Sequence, residues 1–264
     1  MGGALLKGWL AENRFSSIHV VEPQPSAQLS ALAGAKKITL TSTFNAAMRA
    51  GAIVLALKPQ VVKAEPKLLR DLGDCGALLV SIVAGIGSPF LQAHLGGKSR
   101  VVRAMPNTPG AIGKGITVLC GGPALSPADR TMAEELMAGL GETLWLADEA
   151  LMDAVTAVSG SGPAYLFLMA EALAAAGQEQ GLDRVTAERL ARATVSGAGA
   201  LLAADDRAAS ILRQEVTSPG GTTEAALKVL IGASGLGDLM SKAIDAATRR
   251  GRELGAAPDK PKGS

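Results

Sequence analysis

The sequence predicts an α/β protein in which a parallel β-sheet covered by helices is followed by an all-helical C-terminal part. Two observations lead to this prediction. Between about residues 17 and 146, short apolar, β-rich runs alternate with helical segments, which is typical of βαβ units around a buried parallel sheet. From residue 148 onward the β-branched runs disappear and apolar residues recur at helical spacing. We therefore divide the chain into domains 1–147 and 148–264, with the boundary near Ala147.

The first domain opens on a helical segment, in which Ala4, Leu5 and Trp9 recur at helical spacing. Strands are then predicted at 17–22, 38–40, 52–57, 77–83, 101–105, 117–119 and 143–146. Helices are predicted between them at 26–32, 45–49, 61–72 and 129–140. Several strands end in glycine or polar residues, and parallel sheets bind ligands beyond the carboxyl ends of their strands. We expect a binding site along that edge.

The second domain consists entirely of predicted helices. These are expected at 149–158, 164–176, 187–203, 208–216, 223–230 and 239–254. The segment is rich in alanine and glycine, so its helices can approach closely. Six helices of this length would leave apolar surface uncovered if packed alone, and we therefore expect a homodimer or a higher oligomer of dimers. The tail 256–264 is expected to be disordered.

The composition argues against several classes of protein. With 264 residues, of which 48% are hydrophobic and 19% charged, the chain is expected to be compact and soluble. The 26 basic and 24 acidic residues are scattered, so no nucleic acid partner is expected. Cys75 and Cys120 lie far apart and form no metal-ligand cluster with the two histidines, which favours reduced thiols, no metal and a cytoplasmic protein. The longest apolar stretch, 76–91, is interrupted by glycines and a proline, so no membrane segment or signal peptide is expected.

The most specific stretch is 215–224, with the sequence EVTSPGGTTE. Pro219 and Gly220 suit the second and third positions of a tight turn. Gly221, followed three residues later by Glu224, resembles the N-cap of a helix and its N3 partner. Two successive glycines let a ligand reach free amides at the positive end of the helix dipole, so the stretch predicts an anion site.

The same turn carries three hydroxyl groups, on Ser218, Thr222 and Thr223. An alternative start of the helix is Pro219, with Ser218 as its cap. In either arrangement the hydroxyls add neutral donors and acceptors beside the anion site. They favour a small carboxylate that also offers a neighbouring polar atom.

The first domain looks like a dinucleotide-binding, Rossmann-like fold whose first strand is missing from the chain. Its helix opens on Met1 and Gly2, and the motif GxGxxG is absent as such. If Gly2 is the third glycine of that motif, the first strand and the other two glycines precede residue 1. Glu22 lies about 20 residues beyond this loop, where an acid binds the adenosine ribose 2′-hydroxyl. Such an acid favours NAD over NADP, although Gln24 and Ser26 leave the preference open.

Several motifs in this order resemble the pyrroline-5-carboxylate reductase family, and the match covers almost the whole chain. The motifs are MGGAL at 1–5, ALKPQ at 56–60, SIVAGI at 81–86, RAMPNTP at 103–109, SGSGPAY at 159–165 and the stretch 216–227. The early motifs are shared with related dehydrogenases. The last two, in this order and spacing, are highly specific.

The resemblance implies that NADPH or NADH delivers a hydride to the C=N carbon of 1-pyrroline-5-carboxylate, which yields L-proline in the last step of proline biosynthesis. It implies that the amides around Gly221 and Thr222, together with Ser218, hold the substrate carboxylate. Thr223 is then the catalytic residue that hydrogen-bonds the ring nitrogen. Glu149 resembles a residue near the substrate.

The resemblance also implies a set of residues around the cofactor. These are Met1, Gly2, Glu22, Lys58, Pro59, Ala84, Asn107 and Glu215. Simpler interpretations exist for several of them: Lys58 as a solvated charge after a strand, Asn107 as a turn former, and Glu149 and Glu215 as exposed helix carboxylates.

Two other functions are compatible with the sequence. One is a reductase of a related small imino or keto acid that uses the same anion site. The other is a non-catalytic helical dimer with a degenerate cofactor loop, for which the missing first strand is the only indication. The family also has an asparagine before the strand that ends in Lys-Pro, and here Thr43 and Asn45 lie near that place, so the ribose contact stays open.

Overall fold

The computed structural model describes residues 1–45, 47–96 and 99–256. Of the predicted disordered tail 256–264, Ala256 instead ends the last helix, and 257–264 lie outside the described residues. Packing divides the chain into two compact units. Within the described residues, unit 1 contains 1–160 and 248–256, and unit 2 contains 161–247. These units reflect packing, and the functional boundary at Ala147 stays a prediction.

Unit 1 is an α/β structure of seven strands and the helices between them, within the described residues. The strands are β1 His19–Val21, β2 Thr39–Thr41, β3 Ala52–Leu55, β4 Leu78–Ser81, β5 Val101–Pro106, β6 Gly115–Gly121 and β7 Gly141–Leu146. The helices are α1 Gly2–Glu12, α2 Ala27–Gly34, α3 Pro59–Ala64, α4 Pro66–Asp74, α5 Ser88–His94, α6 Pro127–Met137 and α7 Met152–Val155. A π-helix, Thr156–Gly160, follows α7.

The strands form two sheets. Strands β1 and β2 pair in parallel, and β3 to β7 form a five-stranded sheet in chain order. Strands β3, β4 and β5 are parallel, as predicted, but β6 is antiparallel to β5, and this corrects the expectation of a wholly parallel sheet. The reason is the connection 107–114, which holds only the 3₁₀-helix Thr108–Ile112 and is shorter than the dozen or so residues that a parallel crossover needs.

Both faces of the central strands are buried, which accounts for their continuous apolar sequences. Leu78 and Val80 of β4 belong to a core cluster with Leu5 of α1, and Leu79 faces a second cluster with Leu91 of α5. All four residues of β4 are buried. This confirms the prediction that helices cover the sheet on both sides.

Three predicted helices of unit 1 differ from the structure. The helix predicted at 61–72 is two helices, α3 and α4, because Pro66 cannot continue a helix and begins the second one. At 45–49 the described residues form an Asx turn, in which Asn45 Oδ1 accepts from the Ala47 amide, while residue 46 lies outside the description. The predicted helix 149–158 is a 3₁₀-helix, a short α-helix and a π-helix in succession.

Unit 2 is helical throughout its described residues. Its helices are α8 Gly162–Glu179, α9 Arg184–Ala204, α10 Ala209–Glu215, α11 Thr222–Leu230 and α12 Leu236–Ala256, whose last residues belong to unit 1. Helices α8 and α9 pack through the small residues Ala174, Ala187 and Ala191. None of the helices in the described residues is both long and apolar enough to cross a lipid bilayer.

Candidate functional site

The turn before α11 has the conformation that the sequence predicts. The Gly221 amide donates to Ser218 O at 3.0 Å, and Gly220 has a φ of 72°. With Pro219 at its second position, this is the pattern of a type II turn. Gly221 is the N-cap, so the first of the two predicted helix starts is confirmed.

The Glu224 side chain accepts a hydrogen bond from this turn. Its Oε2 accepts from the Gly220 amide at 2.6 Å, and its Oε1 lies 3.2 Å from Lys228 Nζ. In an ordinary capping box the N3 side chain accepts from the N-cap amide, but here that amide, on Gly221, already donates to Ser218. The carboxylate therefore reaches one residue further back.

The start of α11 leaves several polar groups free. Within the described part of the chain, the amides of Thr222, Thr223 and Glu224 have no acceptor, as expected for the first turn of a helix. The hydroxyls of Ser218, Thr222 and Thr223 likewise have no partner there, whereas Thr217 Oγ1 donates to Arg213 O at 2.6 Å. Free amides at the positive end of a helix, with free hydroxyls beside them, can bind a small carboxylate.

Gly221 keeps this site compact. A Cβ added at Gly221 would lie 3.1 Å from Ser218 O and 3.5 Å from Ser218 Cβ. The absence of a side chain therefore lets Ser218 lie close to the first turn of α11. Four predicted substrate residues, Ser218, Gly221, Thr222 and Thr223, are adjacent in unit 2.

In unit 1, three predicted cofactor residues lie at one edge of the sheet. Leu55 of β3, Ser81 of β4 and Arg103 of β5 are in register. Lys58 lies three residues after Leu55, and Ala84 lies three residues after Ser81. Asn107 lies four residues after Arg103. Because these strands are parallel, the three residues lie beyond the same carboxyl edge, where ligands of such sheets bind.

Two of these residues also have structural roles. Lys58 is the N-cap of α3, with Pro59 in its first turn, and its exposed ammonium has no carboxylate partner among the described residues. Asn107 Oδ1 accepts from the Ile116 amide at 3.0 Å. Asn107 is thus the turn former that the simpler interpretation expects, and its amide nitrogen has no acceptor in the described part of the chain.

The start of α1 lies close to the end of β3. A Cβ added at Gly2 would lie 3.2 Å from Ala56 Cβ, one residue beyond β3. The amides of Gly2 and Gly3 have no acceptor among the described residues, and the first turn carries no acid. Met1 is the N-cap of this helix. An open helix start at the carboxyl edge of a parallel sheet fits the phosphates of a dinucleotide.

Glu22 directly follows β1. Its amide donates to Thr41 O at 2.9 Å, and its Oε1 accepts from the Gln24 amide at 3.1 Å. The other carboxylate oxygen has no partner in the described residues, so it is available to a ribose hydroxyl. Ser26 instead caps α2 through its Oγ.

Glu149 lies in unit 1, in a polar cluster that the sequence does not predict. Its Oε1 accepts from the Ser88 amide at 2.8 Å and from Arg103 at 3.1 Å. Ser88 begins α5, and the segment before it contains Ala84. Glu149 thus supports the segment after β4, and its predicted contact with substrate stays a prediction.

Glu215 lies in unit 2 at the end of α10, whereas the other predicted cofactor residues lie in unit 1. Both of its oxygens bind Arg207, at 2.6 and 3.2 Å. Arg207 donates hydrogen bonds to the carboxylates of Asp205 and Glu215, and these bonds raise the pKa of its guanidinium. This pairing joins Arg207, which lies just before α10, to Glu215, the last residue of α10. Glu215 lies three residues before Ser218, where the turn before α11 begins.

Among the described residues, no group of three or more histidine, cysteine, aspartate or glutamate side chains has the arrangement of a metal site. Cys75 and Cys120 are not joined in a disulfide bond. Burial and the nearby Asp74 and Asp71 raise the pKa of Cys75, and burial and Glu149 raise the pKa of Cys120.

Fold and site geometry together define a dinucleotide-dependent oxidoreductase with a helical second part. The family model described as "NADP oxidoreductase coenzyme F420-dependent" matches residues 1–85. The model described as "Pyrroline-5-carboxylate reductase dimerisation" matches residues 149–254. The class therefore follows from both halves of the chain.

Relatives identify the family within this class. Pyrroline-5-carboxylate reductase of Pseudomonas aeruginosa is 44% identical over 213 residues, covering 81% of this chain and 78% of that protein. The solved structure of a pyrroline-5-carboxylate reductase from Coxiella burnetii is 35% identical, with a TM-score of 0.88, covering 97% of this chain and 95% of that one. The Plasmodium falciparum pyrroline carboxylate reductase structure with NADP bound is 26% identical, with a TM-score of 0.77 and coverage of 97% and 95%. The chain belongs to the pyrroline-5-carboxylate reductase family.

Proposed function

We propose that the chain reduces 1-pyrroline-5-carboxylate to L-proline with NADPH or NADH, the last step of proline biosynthesis. The observation that carries the proposal is the start of α11, where three helix amides and three hydroxyls have no partner among the described residues. A cyclic imino acid offers one carboxylate and one ring nitrogen to these groups. Family membership supports the same substrate.

The Gly221 amide, expected from the sequence to hold the substrate carboxylate, already donates to Ser218 O. In this proposal the carboxylate therefore lies against the amides of Thr222 and Thr223, with the Ser218 hydroxyl beside it. The Thr223 hydroxyl then hydrogen-bonds the ring nitrogen. The protonated imine is electrophilic before the reaction begins, so the protein has to position it rather than supply a strong acid. This fits a site built from neutral hydroxyls and amides.

The cofactor is proposed to bind along the carboxyl edge of unit 1, near the start of α1. Its reduced nicotinamide supplies the hydride. Gly2 and Met1 would face the phosphates, Glu22 the adenosine ribose, and Lys58, Pro59, Ala84 and Asn107 the nicotinamide side. The NADP in the Plasmodium falciparum structure supports NADPH as donor. Glu149 and Glu215 are proposed to lie near the substrate and cofactor, respectively.

The assembly is proposed to be a homodimer or an oligomer of dimers. Unit 2 exposes large apolar side chains, among them Phe167 at 65% and Leu201 at 68%. Exposed apolar surface of this kind marks a protein interface. A cytoplasmic location is also proposed, and the reduced state of Cys75 and Cys120 supports it.

The test is the variant Thr223→Val, which removes the hydroxyl and keeps the shape of the side chain. We expect kcat for reduction of 1-pyrroline-5-carboxylate to fall about 10–100-fold, because a hydrogen bond to the charged iminium group is lost. The Kd for NADPH, measured by fluorescence titration, should stay the same. Steady-state assays with NADPH and NADH on the wild type give the cofactor preference.

Thr217→Val is the matched control, because the Thr217 hydroxyl is already bonded to Arg213 O in the same turn. Its kcat should stay within about twofold of wild type. Wild-type protein that fails to reduce 1-pyrroline-5-carboxylate with either cofactor would contradict the proposed function. Unchanged turnover of Thr223→Val would remove Thr223 from its role.

A further inference from the structure

We infer that Glu224 is a positioning residue for the substrate carboxylate, because its side chain fixes the turn that presents the amides of α11. The inference rests on the proposed function and adds a residue to the proposed site. The side chain of Glu224 makes no proposed contact with the substrate. It acts through Gly220, the residue in the left-handed conformation at the corner of the turn.

The contacts of Glu224 anchor its carboxylate at both oxygens. Oε2 accepts from the Gly220 amide at 2.6 Å, and Oε1 lies 3.2 Å from Lys228 Nζ, one helical turn further on. The Glu224 side chain is 37% exposed, so this arrangement is only partly shielded from water. A charged acceptor forms a stronger hydrogen bond with an amide than a neutral one does.

The amides of the turn and of the first turn of α11 fall into two groups, those bonded within the protein and those without an acceptor among the described residues. Gly220 and Gly221 donate within the protein, to Glu224 and Ser218. Thr222, Thr223 and Glu224 keep their amides free for a ligand. Without the carboxylate, the Gly220 amide would need another acceptor, and the two glycines of the turn would gain conformational freedom. Substrate binding would then have to restore the order of the turn.

Lys228 reduces the electrostatic cost of this arrangement. A carboxylate near an anion site repels the substrate, and two unit charges about 4 Å apart interact by about 1 kcal/mol in water. Because Lys228 pairs with Glu224, the local charge is balanced. The hydrogen-bond acceptor, rather than the negative charge, is therefore the useful property of Glu224.

The experiment compares Glu224→Ala with Glu224→Gln by steady-state kinetics. For Glu224→Ala we expect the KM for 1-pyrroline-5-carboxylate and the inhibition constant of L-proline to rise together, about tenfold, with kcat within about twofold and an unchanged KM for NADPH. Glu224→Gln should restore most of this loss, because its amide oxygen can accept from Gly220. An unchanged KM in Glu224→Ala, or a Gln variant that behaves like the Ala variant, would overturn the inference.

Asp238→Ala is the matched control. Asp238 also lies in the first turn of a helix and pairs with Lys242, four residues later, at 2.8 Å. Among the described residues, however, its side chain accepts no hydrogen bond from a turn amide. If acids at helix starts act only on stability, both variants will lower the melting temperature alike and neither will change the KM. That result would also overturn the inference.

A readout independent of activity separates this inference from the proposed function. Hydrogen exchange of the Gly220 amide, followed by NMR, should be slow in the wild type and at least about tenfold faster in Glu224→Ala. Equal exchange in both proteins would contradict the role of Glu224 whatever the substrate. Slow wild-type exchange combined with no reduction of 1-pyrroline-5-carboxylate would instead overturn the proposed function and, with it, the role toward that substrate.

Discussion

A single buried carboxylate, that of Asp129, connects three segments of unit 1. It is 4% exposed, and it forms a capping box with Ser126 at the start of α6. It also pairs with Arg100, whose other nitrogen donates to Gly76 O at 2.7 Å. Loss of its charge would leave the Arg100 guanidinium and the cap of α6 without a charged acceptor.

We expect Asp129→Asn to lower the free energy of unfolding at pH 7 by about 1–3 kcal/mol, because charged hydrogen bonds of a buried group are lost. Urea unfolding followed by circular dichroism measures this change. Asp71→Asn is the control, since Asp71 pairs with Lys67 at a more exposed position, where the Lys67 side chain is 77% exposed. That control should change stability by no more than about 0.5 kcal/mol.

The same carboxylate makes stability depend on pH. Burial raises the pKa of Asp129, but hydrogen bonds from Ser126 and pairing with Arg100 outweigh it, so the pKa lies below its ordinary value. Its contribution is present above the unfolded pKa, about 3.9, and is lost as the pH falls through the folded pKa. The difference in unfolding free energy between wild type and Asp129→Asn should therefore narrow below about pH 4. A difference that stays constant down to pH 2 would contradict this role.

At the scale of elements, the contact between α4 and the end of α5 depends on one glycine. A Cβ added at Gly73 of α4 would lie 2.2 Å from Leu95 O and 2.8 Å from its carbonyl carbon. Both atoms are backbone, so the clash cannot be relieved by a side-chain rotation.

Gly73→Ala should therefore destabilise the protein by about 1–3 kcal/mol, the usual cost of overpacking. Thermal unfolding would show the loss as a lower melting temperature. Gly34→Ala serves for comparison, because Gly34 ends α2 and its added Cβ meets nothing within 4 Å. A Gly73→Ala variant as stable as Gly34→Ala would show that the two helices can move apart.

Elements with a strong local pattern were predictable from the sequence. The helices α8 to α12 follow the apolar spacing, and Pro66 and Asn45 account for two of the three predicted helices that differ. Helix α5 has no clear signal in the sequence, because its residues lie at the end of an apolar stretch rich in glycine and serine. The direction of β6 depends on the length of the connection 107–114. The spacing of apolar residues identifies a strand but does not indicate whether it runs parallel to its neighbour.

The site was predictable where it depends on a local turn. Pro219, Gly220 and Gly221 determine the backbone of the turn before α11, and the structure has that turn. The contact of Glu149 with Ser88 joins residues 61 positions apart, and no local signal in the sequence indicates it. Long-range pairs of this kind follow from the packing of whole elements.

For the whole molecule, the apolar surface of unit 2 predicts association. Phe167→Asp places a charge on an exposed apolar position of α8, and we expect it to shift the protein toward monomer, because burying an unpaired charge in an interface is costly. Sedimentation velocity measures the change. Lys7→Asp, on the exposed surface of α1, should leave the assembly unchanged. A variant Phe167→Asp that sediments like wild type would place the interface elsewhere.

The raised pKa values of Cys75 and Cys120 also concern the behaviour of the whole protein toward oxidants. The nucleophilic form of cysteine is the thiolate, which is scarce when the pKa lies above its ordinary value. Peroxide and alkylating reagents are therefore expected to react slowly with these two thiols in the folded chain. The two thiols are therefore expected to react faster once the chain unfolds, because unfolding removes the burial that raises their pKa values.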